Sequence, residues 1–267
     1  MTLEISDIPF AWVRTELTIG GPVARGDHDG SVRRVQEWLT LNDVAVVVDG
    51  DFGPATEYAV SRFQVYRDLP KTGVVDRATY AELTAPLLRA LDPPSVEPST
   101  FSAAVVAAAR QHRNQRPREV GGPNRGPWVR VYMDGVDGAD RLWCAGFVSF
   151  LVRQAAWHAG VPEPIQSSVS CDMLSHRAQA EGRFLAGDRI LDGAESIDDL
   201  PRGSFFVQRR SDDDWSHVGV VIAAMGSSME TIEGNTNDGG SREGIEVCRR
   251  IRDLRNKDFI TLQPRLG

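Results

Sequence analysis

A helix that opens on a cysteine, followed by a pair of strands, constrains the fold of this chain more than any other feature. Between Leu142 and Gly160 the apolar residues recur at helical spacing, and Cys144 lies in the first turn of this predicted helix. Two later runs, His217–Ala224 and Ser228–Glu233, are short and rich in β-forming residues, with a turn signal between them. The pattern predicts an α+β domain in which the helix accompanies an antiparallel sheet.

The position of Cys144 favours a reactive thiol. The first turn of a helix has backbone N–H groups without intrahelical acceptors, and the helix dipole adds positive potential there. Both features stabilise a thiolate and lower the pKa of the cysteine. On the helix alone, a small buried core residue is the alternative interpretation of Cys144.

The two strands supply a base and an orienting group. If they pair as a hairpin, a turn centred on Met225 sets His217 opposite Glu233, and a turn two residues longer sets it opposite Asn235. Either register keeps His217 and its partner on one face, with Cβ atoms roughly 5 Å apart. The order nucleophile, base and orienting group predicts a cysteine hydrolase.

Three short motifs in this region resemble the CHAP family of cysteine, histidine-dependent amidohydrolases and peptidases. They are Trp143–Phe150 (WCAGFVSF), His217–Val221 (HVGVV) and Glu233–Asn237 (EGNTN), within a resemblance that covers roughly residues 102–260. The resemblance implies a papain-like fold and a peptidoglycan substrate. The chain departs from the family pattern in a long insert, Val161–Leu200, between the helix and the histidine strand.

Roles for individual residues follow from the same resemblance. It implies that Cys144 attacks, that His217 is the base, and that Glu233 orients the imidazole, with Asn235 as a second polar member. The resemblance further implies that the cleaved bond is an amide of the peptidoglycan stem peptide, either the muramoyl–alanine amide, as in an N-acetylmuramoyl-L-alanine amidase, or a peptide bond, as in an endopeptidase. The motifs do not discriminate between the two bonds.

The amino-terminal part predicts three helices joined by glycine-containing turns. The first helix covers about 29–42 with Ser31 at its N-cap, the second Glu57–Arg67, and the third, a short one, Ala78–Leu83. The turns are Asp49–Thr56 and Thr72–Asp76. Together with the pairs Val35-Gln36 and Phe63-Gln64, they resemble a small three-helix peptidoglycan-binding domain over about residues 26–88.

These features predict four segments along the chain. Residues 1–23 form an amino-terminal extension and residues 24–88 the peptidoglycan-binding domain. Residues 89–100 are rich in proline and form a semi-rigid linker. Residues 101–267 form the CHAP-like catalytic domain.

Charge and composition exclude several function classes. The net charge is −7 and no sustained basic face is present, so we expect no nucleic-acid partner. The arginines at 249, 250 and 252 predict a solvated strand edge. The histidines show neither an HExxH motif nor a pair spaced for a shared metal, and no G-x-S-x-G elbow occurs. We therefore expect no metal and no other cofactor.

The sequence leaves the route to the cell wall open. Met1–Asp7 has neither a basic start nor an apolar run, so no secretory signal is expected, and no segment suits a membrane span. The three cysteines predict neither a disulfide framework nor a zinc site. We expect synthesis in the cytoplasm and action on the periplasmic or extracellular wall. Delivery would be through a holin lesion, as for an endolysin, or by a secretion machine, as for an antibacterial effector with an immunity protein as partner.

Two alternatives from other classes stay open at this point. A non-catalytic peptidoglycan-binding protein would keep both domains without thiol-dependent activity. A cysteine acyltransferase or a transglutaminase-like enzyme would use the same three residues, but its product would carry an added amine.

Overall fold

The computed structural model of the chain describes residues 3–95, 98–237 and 244–263, and this part is α+β as the sequence predicts. The helices are α1 (Ala11–Leu17), α2 (Gly30–Leu41), α3 (Pro54–Tyr66), α4 (Arg77–Leu91), α5 (Phe101–Asn114), α6 (Pro127–Tyr132), α7 (Cys144–Ala159), α8 (Cys171–Ala180) and α9 (Asp188–Leu191). The strands are β1 (Phe184–Leu185), β2 (Phe205–Ser211), β3 (Asp214–Met225), β4 (Ser228–Thr236), β5 (Glu246–Asp253) and β6 (Lys257–Ile260).

The chain divides into two compact units. Unit 1 contains Met1–Asp92 and Arg118–Arg141, and unit 2 contains Pro93–Pro117 and Leu142–Gly267. This division differs from the predicted segments in two places. Helix α4 continues through the predicted linker start to Leu91, and residues 118–141, predicted as catalytic-domain sequence, belong to unit 1. Residues 96–97 of the predicted linker lie outside the described residues, as do residues 1–2, 238–243 and 264–267 of the other segments.

Two buried glutamines fix the turns of unit 1 in the same way. Gln36 in α2 accepts from the backbone N–H groups of Asp49 (3.1 Å) and Gly50 (2.8 Å), and its amide donates to the Thr56 hydroxyl (3.2 Å). Its side chain is therefore fully occupied by the turn that precedes α3. The first cap differs from the predicted one, because Asp29, not Ser31, accepts from the first-turn N–H groups of α2.

Gln64 in α3 repeats this arrangement for the turn that precedes α4. It accepts from the N–H groups of Thr72 and Gly73 (both 2.9 Å) and donates to the Thr79 hydroxyl (3.2 Å). The runs 49–56 and 72–79 are thus equivalent turns, each satisfied by one buried amide side chain. Buried polar backbone groups need such partners, so the two glutamines hold the three-helix arrangement.

The returning segment of unit 1 packs through aromatic side chains. Trp128 in α6 lies edge-on to Trp38 of α2, with ring centroids 6.0 Å apart, and stacks against Tyr132 at 6.1 Å. Trp12 in α1 donates its indole N–H to the carbonyl of Val131 (3.0 Å). These contacts explain why residues 118–141 complete the core of unit 1.

Arg130 of α6 neutralises buried carboxylates of two other helices. Its Nε donates to Glu16 of α1 (2.6 Å), and its Nη2 donates to Glu37 of α2 (2.6 Å). Its Nη1 donates to Asp137 (2.8 Å). The Glu37 side chain is fully buried and that of Glu16 is 4 % exposed. Burial raises the pKa of Glu16, with Arg130 opposing the shift.

Unit 2 is built on a six-stranded antiparallel sheet. Its strand order is β1-β6-β2-β3-β4-β5. Helix α7 packs against β3 and β4, α5 packs against α7, and α8 packs against β3. The α7 sequence favours this position, because an apolar run of helical period ends at Gly160, which adopts the left-handed conformation (φ 64°) suited to a helix end.

An apolar cluster links the sheet to the insert between α7 and β2. Phe206, Val221 and Phe259 from the sheet pack with Leu185 and Ile190 of the insert. Much of the predicted insert is therefore part of the core of unit 2.

No helix among the described residues is long and apolar enough to cross a membrane.

We expect Arg130→Met to destabilise unit 1 by about 3–5 kcal/mol, because the buried carboxylates of Glu16 and Glu37 lose the guanidinium they share and only Glu37 keeps another arginine contact, from Arg33 at 3.0 Å. The matched control is Arg25→Met, which breaks the exposed Arg25–Glu57 pair (3.3 Å) and should cost less than about 1 kcal/mol. Urea unfolding monitored by hydrogen exchange in peptides from α2 and α6 measures both. Equal shifts for the two variants would contradict the proposed role of Arg130.

Candidate active site

The candidate nucleophile, Cys144, is the first residue of α7. The side chain of Trp143 at the N-cap makes no capping hydrogen bond, so the first-turn N–H groups remain available to an anion. The pKa of the Cys144 thiol is lowered chiefly by Cys171, and the N–H of Ala145 in this turn adds to the shift. Cys144 is 5 % exposed, which places the sulfur in a low-dielectric setting where these donors act strongly.

The candidate base, His217, lies in the first half of β3. Its Nε2 donates to Glu233 Oε2 (2.8 Å), and both side chains are buried. Its Nδ1 is buried and makes no hydrogen bond to the described residues. Because the carboxylate fixes the proton on Nε2, the basic nitrogen of the neutral ring is Nδ1, which is left for Cys144.

The hydrogen bond between His217 of β3 and Glu233 of β4 joins residues that are not directly opposite each other in the sheet. Val220 pairs with Ile232, and one further step of that register sets Glu233 across from Gly219. A Cβ at Gly219 would lie 2.6 Å from Cγ of Glu233. The missing side chain at Gly219 therefore lets the carboxylate cross to His217, two residues away on the same face. Glu233 thus bonds His217 from the position across from Gly219, and not from directly opposite His217 as the register with a turn centred on Met225 predicted.

Two residues that the sequence did not indicate hold the Glu233 carboxylate. Arg252 of β5 donates from Nε to Oε1 (2.8 Å) and from Nη2 to Oε2 (2.5 Å), a bidentate pair. Thr231 donates its hydroxyl to Oε1 (2.6 Å). The predicted solvated strand edge is therefore wrong for Arg252, whose side chain is only 20 % exposed. The alternation of β5, which exposes every second residue, is the signal that could have indicated it.

Asn235 has a different role from the predicted one. In the amide orientation that satisfies both neighbours, its Oδ1 accepts from the Trp143 N–H (3.1 Å) and its Nδ2 donates to the Gly244 carbonyl (2.6 Å). Its backbone is left-handed (φ 51°), which ends the regular pairing of β4. Asn235 thus holds the residue before Cys144, and within the described part of the chain it forms no hydrogen bond with the imidazole.

Gly234 permits the close approach of α7 to β4. A Cβ at this position would lie 2.7 Å from Phe147 Cβ and 2.8 Å from Trp143 Cζ3. Any side chain would push the helix away from the strand. The run Glu233-Gly234-Asn235 therefore supplies an acceptor for His217, room for α7 and an anchor for the start of that helix.

A second thiol lies beside the candidate nucleophile. Cys171, the first residue of α8, has its sulfur 3.8 Å from that of Cys144, within the range of a sulfur hydrogen bond. No sequence pattern singles out Cys171, because it lies in the insert that separates the matching motifs. The structure thus brings together Cys144, His217 and Glu233 of the predicted residues, and it adds Arg252, Thr231 and Cys171.

The electrostatics favour a charged pair at neutral pH. The hydrogen bond from Cys171 is the largest cause that holds the pKa of the Cys144 thiol well below its usual range; burial opposes the shift and His217 adds to it. For His217, burial favours the neutral ring, but the interactions with Cys144 and Glu233 outweigh it and raise the pKa to about 9. The directions of both pKa shifts favour a thiolate beside an imidazolium.

The Glu233 carboxylate stays ionised at and around neutral pH. Burial alone would raise the pKa of Glu233, but the hydrogen bonds from Arg252 and His217 lower it to about 2. Together with the larger effect of Cys144, this negative charge favours the imidazolium form of His217 in its buried position.

The comparison with known families concerns unit 1. Residues 28–83 match the PG_binding_1 model of peptidoglycan-binding domains. The match includes both glutamine-fixed turns and confirms the predicted amino-terminal peptidoglycan-binding domain. It indicates a cell-wall-associated protein. No curated protein matches the chain.

We expect iodoacetamide to alkylate Cys144 at a rate that has reached its plateau by neutral pH, because the thiolate is already formed there. In His217→Asn the titration should move upward toward the ordinary thiol value of about 8.5. His158→Asn is the matched control, since it lies about 21 Å along the same helix. Peptide mass spectrometry assigns the modified cysteine, and an unchanged titration in His217→Asn would show that the imidazole does not act on the thiol.

Proposed function

We propose that the protein is a cell-wall hydrolase that cleaves an amide bond of the peptidoglycan stem peptide with Cys144 as nucleophile. The observation that carries this proposal is the hydrogen-bonded series Arg252–Glu233–His217 behind a thiol at a helix N-terminus. The peptidoglycan-binding match in the same chain supports the choice of substrate. The CHAP resemblance and the papain-like arrangement of unit 2 are part of the proposal.

The first half of the reaction forms a thioester. The Cys144 thiolate attacks the amide carbonyl carbon, and the negative charge moves to the carbonyl oxygen. The Cys144 N–H, a first-turn amide without an intrahelical acceptor, stabilises that oxygen. His217 then gives its Nδ1 proton to the leaving amine as the carbon–nitrogen bond breaks.

The second half regenerates the enzyme. The neutral His217 takes a proton from water, which attacks the thioester carbon and releases a carboxylic acid and the thiolate. Throughout both halves Glu233 keeps the other ring proton on Nε2 and offsets the charge of the imidazolium. Arg252 and Thr231 act on this chemistry only through Glu233, so they are positioning residues.

The electrostatics distinguish this site from a plain buried cysteine. A structural cysteine in an apolar core has a raised pKa and is inert. Here the pKa of Cys144 is lowered most by the Cys171 thiol, whose sulfur lies 3.8 Å away, and then by the His217 imidazole and the Ala145 N–H. This arrangement favours catalysis over the alternative of a wall-binding protein without activity.

The test is digestion of purified sacculi by the wild-type protein and by Cys144→Ala, with mass spectrometry of the released fragments. We expect wild-type release and none from Cys144→Ala, because the variant has no nucleophile; Cys248→Ser, which changes a thiol of β5, should retain activity. Free glycan chains would identify an amidase, and shortened stems an endopeptidase. Fragments that carry an added amine would indicate an acyltransferase. No release by folded protein that still sediments with sacculi would contradict the proposal.

The pH profile of the same digestion tests the roles of His217 and Glu233. Since the pKa of His217 is raised to about 9, the proton for the leaving amine is present below that pH, and we expect the rate to fall as the pH rises through it. Glu233→Gln removes the charge that raises this pKa, so the alkaline limb should move to lower pH and the rate should fall roughly 10²–10⁴-fold.

The matched control for this profile is Glu230→Gln on the same strand. Glu230 pairs with Arg249 (2.5 Å), away from His217, and its loss should leave the alkaline limb in place. If both glutamine variants shift the limb equally, Glu233 is not the group that sets the pKa of His217.

A further inference from the structure

Two of the three cysteines in the chain, Cys144 and Cys171, meet in one place. Their sulfurs are 3.8 Å apart, and the residues are 5 % and 8 % exposed. Each is the first residue of its helix, so the positive ends of α7 and α8 both point toward the sulfur pair. Cys144 serves the reaction proposed above, but that reaction gives no chemical step to Cys171.

The approach of the two sulfurs is fixed from both sides of Cys171. Before it, Ser149 of α7 accepts from the Ser168 N–H (3.0 Å) and donates to the Ser168 carbonyl (2.7 Å), which ties the preceding loop to α7. After it, Asp172 accepts from the backbone N–H of Trp215 in β3 (2.7 Å). The start of α8 is thus attached to the same helix and strand that carry Cys144 and His217.

We propose that Cys144 and Cys171 form a reversible disulfide, and that Cys171 is the resolving thiol that converts oxidation of the nucleophile into a recoverable inactive state. The pair is an oxidative modification site that is separate from substrate cleavage but shares its sulfur. A disulfide needs the sulfurs to close from 3.8 Å to about 2.0 Å, which side-chain rotation at two adjacent helix ends can supply.

The chemistry balances with a hydroperoxide as the oxidant. The Cys144 thiolate attacks the hydroxyl oxygen of the peroxide, the oxygen–oxygen bond breaks, and the sulfur becomes a sulfenic acid, while the departing oxygen takes a proton from the His217 imidazolium and leaves as water or an alcohol. The Cys171 sulfur then attacks the sulfenyl sulfur, the sulfur–oxygen bond breaks, and water leaves with the thiol proton. Two thiols are oxidised by two electrons and one peroxide is reduced, and an added dithiol reverses the result.

The lowered pKa of Cys144 makes this step compete with catalysis. A thiolate that is present without substrate is also the form that peroxides oxidise. Without a neighbouring thiol, the sulfenic acid proceeds to sulfinic acid, which dithiols do not reduce. The consequence for activity rests on the proposed function, whereas formation of the disulfide does not.

The test is treatment of the full chain with hydrogen peroxide, followed by intact-mass and peptide mass spectrometry. We expect the wild type to lose two hydrogen atoms in mass and to yield a joined peptide that contains Cys144 and Cys171. Its activity on sacculi should fall to that of Cys144→Ala and return with dithiothreitol. In Cys171→Ser, Cys144 should gain two oxygen atoms and stay inactive after dithiothreitol.

The control variant is Cys248→Ser, which should show the same mass loss and recovery as the wild type. Wild-type protein whose Cys144 gains two oxygen atoms while Cys171 stays a thiol would overturn the proposal, and so would a disulfide to Cys248. Disulfide formation in a protein that never releases wall fragments would overturn the hydrolase assignment and leave the disulfide standing. Wall digestion without disulfide formation would overturn the disulfide and leave the hydrolase assignment standing.

Discussion

The buried carboxylate of Glu233 is the constraint on which the arrangement of unit 2 depends. It is fully buried and accepts from His217, from Thr231 and twice from Arg252. An isolated carboxylate in such a position would destabilise the fold by several kcal/mol. All of these donors must therefore be in place together in the folded protein. They come from three adjacent strands, β3, β4 and β5, and the strand register is thereby coupled to the charge state of the site. The geometry that holds the imidazole is a property of the sheet and not of one loop.

Two glycines make room for this polar network in a sheet that is otherwise densely packed. At Gly219 the absent side chain leaves the path by which Glu233 reaches His217, and at Gly234 it leaves the space that Phe147 and Trp143 fill. At Gly219 and Gly234 no side chain is available for apolar packing. Their absence lets Glu233 contact His217 and lets α7 pack close to β4. Such positions resist even alanine, because a Cβ there would lie under 3 Å from a neighbouring side-chain carbon.

The sequence predicted those parts of the site that local pattern controls. Cys144 and His217 could be identified because each stands at or near the start of a recognisable element, and Glu233 because β4 ends just beyond it. Asn235 received the wrong role because the bulge after Val221 and its own left-handed backbone are not visible as alternation. Arg252 was misjudged because its partner is set by the pairing of β4 with β5, a tertiary property.

Features that depend on contacts between distant parts of the chain were also not predicted, because they too are tertiary properties. The predicted extent of helix α4, 78–83, is too short, because in the sequence Pro86 resembles a helix end although it lies inside the helix. The return of residues 118–141 to unit 1 depends on Arg130, whose partners Glu16 and Glu37 lie about a hundred residues earlier in the chain. Ion pairs of this kind leave no local periodicity. Charged residues within an apolar helix face were the one available signal, since buried charges require partners.

A thiolate made by fixed charges differs in one respect from a thiol that is activated only when substrate arrives. The Cys171 thiol, the His217 imidazole and the Ala145 N–H all favour the thiolate form of Cys144 in the protein without substrate. In the proposed reactions that thiolate is both the species that attacks amides and the species that peroxides oxidise, and Cys144 is 5 % exposed. The thiol that does most to lower the pKa of Cys144 lies 3.8 Å from its sulfur. In the reactions proposed above, stabilisation of the nucleophile and its recovery from oxidation would therefore have a common structural origin, the meeting of two helix N-termini that each begin with cysteine.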